Sequence, residues 1–202
     1  MIRSLILIIL VIVAMPVMAQ DAFPAPFGLK WGASAADLRA LGFAPFGEGA
    51  GANDLHTFTS SSAPKPWSKA HTYFAFLFRD RLVKVVVRSE PIADDVAGIR
   101  GKELYGSVKE TLVAKYGAPS SHTEIIGMKL YKDYDEFYQC LGYSGCGIYV
   151  SIFKHGGGVV ALALEGQSRG SGFLSVQYES PEFAEALADI KAGNQESDAS
   201  AL

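Results

Sequence analysis

The apolar positions of this chain change period several times, and each change marks an element. Residues 5–14 are apolar without interruption. A helical period follows at Leu38 and Leu41, where Ser34 has the place of an N-cap, Asp37 that of its partner three residues on, and Gly42 that of a stop. The spacing predicts a short helix over 35–41. The period then falls to two. Segments 55–59, 71–79 and 82–89 are rich in aromatic and β-branched residues, with Asp80-Arg81 as the hairpin tip between the last two. Val83, Val85 and Val87 alternate with Lys84, Val86 and Arg88, the pattern of an antiparallel sheet with one wet face.

Leu104, Val108, Leu112 and Tyr116 restore the helical period, which Gly117 and Pro119 end. Leu130, Tyr134, Phe137 and Leu141 predict a second helix over 129–141. Strands are predicted over 147–154, 159–165 and 173–179, joined by Gly-rich turns, and a final short helix follows Pro181 with Phe183, Leu187 and Ile190 on one side. Residues 192–202 are polar and without means of burial, so disorder is expected there. The fold class is therefore α+β, an antiparallel sheet with helices packed on one face. Its order is helix and three strands, then two helices and three strands. The helix ends Leu41-Gly42-Phe43-Ala44-Pro45 and Tyr116-Gly117-Ala118-Pro119 echo each other. They suggest two degenerate helix–βββ repeats, with halves 27–90 and 98–180 inside one domain over 20–191.

The opening apolar run changes the picture of where such a domain works. Arg3 supplies a positive start, Pro16 breaks the run, and Val17 and Ala19 stand at the −3 and −1 positions of a small-residue cleavage site. Spanning a bilayer takes about 20 apolar residues, whereas residues 4–19 provide 16 with a proline among them. Residues 1–19 are thus expected to be a signal peptide cleaved near Ala19. No stable membrane anchor is expected after cleavage, and the location is periplasmic or secreted. The residue after the cut is Gln20, not the Cys that lipid attachment requires.

Cleavage leaves 183 residues with 17 Lys and Arg against 21 Asp and Glu, a formal charge of −4. That balance, with no basic cluster, excludes the electrostatic footprint of a nucleic-acid binder. Cys140 and Cys146, separated by five residues, read as a structural disulfide in an oxidising compartment. Their spacing is neither that of a redox Cys-x-x-Cys pair nor that of a zinc site. Gly166-Gln167-Ser168-Arg169-Gly170 and His155-Gly156-Gly157-Gly158 match the nucleophile elbow and oxyanion motif of esterases. The context opposes both. A strand, not a helix, is predicted after the Ser, no His follows His155, and the intervening strand holds the motifs roughly 20 Å apart. His56, His71, His122 and His155 are scattered, and Asp133, Asp135 and Glu136 lack the Gly and distal Glu of a calcium loop. The sequence points to no catalytic residue, no cofactor and no metal site.

The segment Phe27-Gly28-Leu29-Lys30-Trp31-Gly32-Ala33-Ser34 and its short helix resemble the opening of uncharacterised exported proteins of proteobacteria. Lys115-Tyr116-Gly117-Ala118-Pro119 and Tyr178-Glu179 match further short motifs of that group. More distantly, the chain is similar to the helix–sheet repeats of the β-lactamase-inhibitor-like and outer-membrane assembly lipoprotein families. The resemblance implies a binding protein rather than an enzyme. Its lipidated members begin with Cys, so Gln20 keeps membrane anchoring from carrying over.

Aromatic residues crowd the cysteine loop, and Tyr131, Tyr138 and Tyr143 are the candidates for a recognition surface there, since tyrosine gives large amphipathic contact area. The competing reading is plain core for the stripe of Tyr134, Phe137 and Leu141. The leading expectation is a binding module for an unknown protein or small-molecule ligand. An enzyme assembled from dispersed residues and a structural envelope component stay open. Mass analysis of the exported protein is expected to give an N-terminus at Gln20 and, without reductant, a peptide joining Cys140 to Cys146. Intact Met1 in a membrane fraction, or two free thiols, overturns the respective reading.

Overall fold

The structure, a computed structural model, describes residues 23–47 and 54–201. The expected export signal, Gln20 and residues 48–53 lie outside the described residues. The chain enters through a single 3₁₀ turn, Pro26–Gly28, and reaches helix α1, Ala35–Ala40. The capping box read from Ser34 and Asp37 is present: the Ser34 Oγ accepts from the Asp37 N–H, and the Asp37 carboxylate accepts from the Ser34 N–H at 2.9 Å. Strands β1 (Ala44–Pro45), β2 (Leu55–Ser60), β3 (Ala70–Phe78) and β4 (Arg81–Ser89) follow. Helix α2, Ile99–Tyr116, leads to β5 (Ser121–Ile125), helix α3 (Phe137–Gly142), β6 (Ile148–His155), β7 (Gly158–Ser168), β8 (Ser171–Glu179) and helix α4, Phe183–Ala201.

All eight strands form one antiparallel sheet in the order β1-β2-β3-β4-β8-β7-β6-β5. Each half contributes four strands laid down from its edge inward, and β4 meets β8 at the centre. Each half therefore runs through four strands, not the expected three. Reading missed β1 because two residues are too few for an alternation, and β5 because its five residues are almost wholly exposed and carry no apolar face.

Alternation decides which face is covered. Tyr73, Ala75 and Leu77 of β3, Val85 and Val87 of β4, Val160, Leu162 and Leu164 of β7 and Leu174 and Val176 of β8 are buried. They join Leu38 of α1, Tyr105, Leu112 and Tyr116 of α2 and Phe137 and Tyr138 of α3 in one core. The expectation of helices on one face thus holds for α1, α2 and α3. Helix α4 departs from it. Its Ala186, Phe183 and Ile190 pack with Phe78, Val83 and Leu55 in a second, small cluster, and Phe183, Leu187 and Ile190 look onto the other face of the sheet. Far from ending near residue 191, α4 continues through Ala201. Ala192, Gln195, Glu196 and Ala199 are good helix formers, so the backbone stays helical although few side chains there are covered.

The helix predicted over 129–141 shrinks to α3. Tyr131 has a left-handed backbone (φ 56°), Asp133 and Glu136 close a turn with a 3.1 Å backbone bond, and Leu130 and Tyr134 are exposed. The apolar spacing belonged to a loop whose residues face water, and only Phe137 onward is core. What α3 lacks in length it gains in closeness to the sheet. A Cβ on Gly166 of β7 would lie 1.8 Å from the Tyr138 carbonyl oxygen, so helix and strand touch backbone to backbone.

Gly166→Ala is expected to cost about 3 kcal/mol and lower Tm by roughly 6 °C or more, because all three colliding atoms are main chain. Gly106→Ala, in α2 with nothing within 4 Å of the added carbon, is expected to stabilise by about 0.5–1 kcal/mol. Thermal melts of the two variants check the pair, and a neutral Gly166→Ala sinks the contact.

Candidate functional site

The segment Phe27 to Ser34 forms a structural clamp. Phe27, in a left-handed backbone (φ 57°), sets its ring edge-on to Tyr73 and Tyr178 at 5.0 and 5.5 Å. It thereby touches both halves. Gly32 N–H donates to the Leu82 carbonyl, Leu82 N–H to that of Ala33, and Ala35 N–H to Asp80 Oδ1 at 2.8 Å. Trp31 lies near-parallel to Phe23, ring centres 6.0 Å apart, and donates its indole N–H to the Phe23 carbonyl. These residues hold the lead-in against the β3–β4 hairpin.

The aromatic residues around the cysteines separate into two kinds. Tyr138, read as surface, is fully buried. Its side chain fits where Gly101 and Gly172 have none, and its hydroxyl donates to Asp95 Oδ2 at 2.9 Å. A Cβ at Gly172 would come within 2.3 Å of that ring. Burial, with the Asp95 charge beside it, pushes the Tyr138 phenol well above its ordinary value. Tyr131, half-buried, and Tyr143, exposed, lie edge-on with ring centres 5.8 Å apart, in a segment where Leu130 and Tyr134 are also exposed. The Sγ atoms of Cys140 and Cys146 lie at disulfide distance, and both cysteines are wholly buried.

Asp95 is the residue that reading of the sequence passed over. Its Oδ1 accepts from Ile99 N–H at 2.9 Å and its Oδ2 from Gly101 N–H at 3.0 Å, so it satisfies the first turn of α2 as well as Tyr138. Burial works against its charge, but the donors from Gly101, Tyr138, Arg100 and Ile99 outweigh it and hold the carboxyl below its usual range. No motif flags it, because Gly98, three residues on, occupies the N-cap position itself.

The esterase motifs are hairpin turns. Gly166, Gln167 and Ser168 make a register shift in the β7–β8 pairing before the Arg169-Gly170 turn, and His155 to Gly158 turn β6 into β7. Gly158 is needed because a Cβ there would strike the Phe23 ring at 2.1 Å. His71 pairs with Glu90, His155 lies beside Tyr116, and His56 and His122 sit on β2 and β5. Among the described residues no group of three or more His, Cys, Asp or Glu side chains converges as a metal site would.

What the sheet does assemble is a groove. On the face away from α1–α3, Phe74 and Phe76 of β3 stand beside Val86 and Lys84 of β4, and Gln177 of β8 continues the row from Val86. Helix α4 forms one wall with Phe183, Leu187 and Ile190, and Phe46 closes the outer end, edge-on to Phe74 at 5.6 Å. The volume is about 580 Å³, within the range of small-molecule sites. Lys84 is bound to Glu179 at 2.8 Å, and Glu165 accepts from the Ser175 hydroxyl. Arg88 is exposed, its guanidinium 5.4 Å from the centre of Phe74 and 4.7 Å from that of Phe173. The signal for this face was present in β3, where aromatic residues fill both registers: Tyr73 inside, and Phe74 and Phe76 outside where polar residues belong.

Comparison of the chain with protein-family models, with curated proteins and with solved structures gives no match. Among the described residues no helix is long and apolar enough to cross a membrane.

The Asp95 site gives a pH-dependent expectation. With the folded pKa below the unfolded one, the stabilisation is complete above the ordinary carboxylate value of 3.8 and is lost as pH falls through the folded value. Asp95→Asn is expected to lose about 2–3 kcal/mol at pH 7, and Tyr138→Phe about 1–2 kcal/mol. Denaturant titrations are expected to show the Asp95→Asn deficit shrinking below pH 3.8. A deficit constant from neutral to acid pH sinks the assignment.

Proposed function

We propose that the chain is an exported binding protein, working in the periplasm or outside the cell, whose ligand site is the groove between the open sheet face and α4. One observation carries the reading. Phe46, Phe74, Phe76, Val86 and Leu187 place apolar surface together on a face that the fold leaves uncovered, and Phe46 and Leu187 are themselves substantially exposed. Apolar side chains held part in water on rigid strands are what a ligand with an apolar body removes from water, at about 25 cal/mol for each Å² covered.

Chemistry on a substrate calls for titratable groups that converge. Here Lys84 is engaged with Glu179 and Glu165 with Ser175, which favours holding over transformation. The resemblance to exported binding families leans the same way. The Tyr131–Tyr143 pair, with exposed Leu130 and Tyr134, favours a second reading in which a partner protein docks beside the cysteine loop.

Nile red, a neutral apolar dye, is expected to bind the mature protein at one molecule per chain with a blue shift. Phe76→Asp is expected to abolish it while Tyr143→Ser leaves it intact. Loss with Tyr143→Ser alone transfers the site to the cysteine loop, and no binding at all by the folded protein overturns the groove.

A further inference from the structure

The charges in the groove narrow the ligand. Lys84 is three-quarters or more enclosed and spent on Glu179, leaving no net charge at that end. Arg88, four residues along β4 on the same face, forms no ion pair among the described residues, and its guanidinium rests on Phe74 and Phe173. Aromatic contact on both sides fixes the plane of the guanidinium without using its N–H donors. It is a positioned, solvent-facing fork beside an apolar trough.

We infer that the groove holds a monocarboxylate with an unbranched hydrocarbon tail, its carboxylate on Arg88 and its tail along Phe183, Leu187 and Ile190 of α4. This rests on the groove being the ligand site. A single fork pairs bidentately with one carboxylate. A phosphate monoester, at nearly two negative charges, would need a second free cation, and Glu165 opposes further anionic charge. The tail follows from the shape of the wall. Phe183 to Ile190 runs seven residues, about 10 Å of helix, and its apolar stripe is only partly covered by the sheet. Leu187, between the two anchored ends, is the one left exposed.

Calorimetry with the mature protein, below the aggregation limit of each amphiphile, compares dodecanoate, dodecanol, dodecyl phosphate and dodecyltrimethylammonium at pH 7.5. Dodecanoate is expected to bind at least about tenfold more tightly than dodecanol, in keeping with a charge-assisted pair. Arg88→Gln is expected to bring the two level without weakening dodecanol, and Arg88→Lys to keep part of the preference. Equal binding of dodecanoate and dodecanol by the unaltered protein overturns the carboxylate while leaving the groove in place. So does tighter binding of the phosphate or the ammonium compound, or a carboxylate preference that survives Arg88→Gln. If none of the four binds and Nile red also fails, both the ligand class and the groove fall together.

Discussion

The hydrogen bond from Tyr138 to Asp95 is the interaction that the second half of the molecule is built around. One carboxylate there satisfies a buried phenol and two N–H groups at the start of α2, so a single side chain joins α2 to α3. Its backbone reaches further: Asp95 N–H donates to the Gly170 carbonyl in the β7–β8 turn, and Ile92 exchanges two backbone bonds with Gly172. A buried charge of this kind stands only because every donor is present, and loss of one partner leaves the rest exposed to the full cost of desolvation. The glycines follow from it. Gly101, Gly166 and Gly172 are the places where a Cβ would occupy the volume of Tyr138 or of the helix that carries it, and Gly98 does the same for Phe137.

That tight packing also explains why the other face is the one available for a ligand. The covered face has spent its apolar surface on three helices, and its largest side chains are fully enclosed. On the open face the same strands continue outward as Phe74, Phe76 and Val86, with α4 reaching only part of the way across. Helix α4 is held at its near end by Lys84 over the Phe183 ring and by the Arg79–Asp189 pair at 2.9 Å. Exposed ion pairs of that sort contribute little, so burial of Ala186 and Phe183 is what keeps the helix in place.

Strands and turns were legible in the sequence where one face is apolar and the other polar. The capping box of α1, the Gly117 stop of α2 and the hairpins of β3–β4 and β7–β8 all follow from local chemistry that nothing distant overrides. Reading failed where the determinant is far away in the chain. Tyr138 shares its aromatic segment with half-buried Tyr131 and exposed Tyr143, and only the Asp95 carboxylate 43 residues upstream and the glycines on β7 and β8 make it core. The helical spacing of Leu130 and Tyr134 misled for the converse reason, since Tyr131 adopts a backbone that no period reveals. Arg88 was read as part of a charged face, and it is charged. Its place between two phenylalanines depends on β4 pairing with both β3 and β8, and that central junction of the halves has no signature in either segment alone.

The two halves share a strand plan yet diverge in what each adds to it. The second half carries α3, the Cys140–Cys146 pair and the Asp95 cluster, all on the covered side. The first half carries Phe46, Phe74 and Phe76 of the open side, and the small side chains of Val159, Ala161 and Ala163 on β7 leave the groove's weight on β3 and β4. Division of labour of this kind has a physical use. A binding face is most effective when its side chains are ordered before the ligand arrives, because ordering them on binding subtracts from affinity. A sheet clamped across its centre by Phe27, which touches Tyr73 of one half and Tyr178 of the other, passes the rigidity of the second half to the strands that present the groove. The elaborated half then acts as support for the exposed one, and the opening motif of the chain is what couples them.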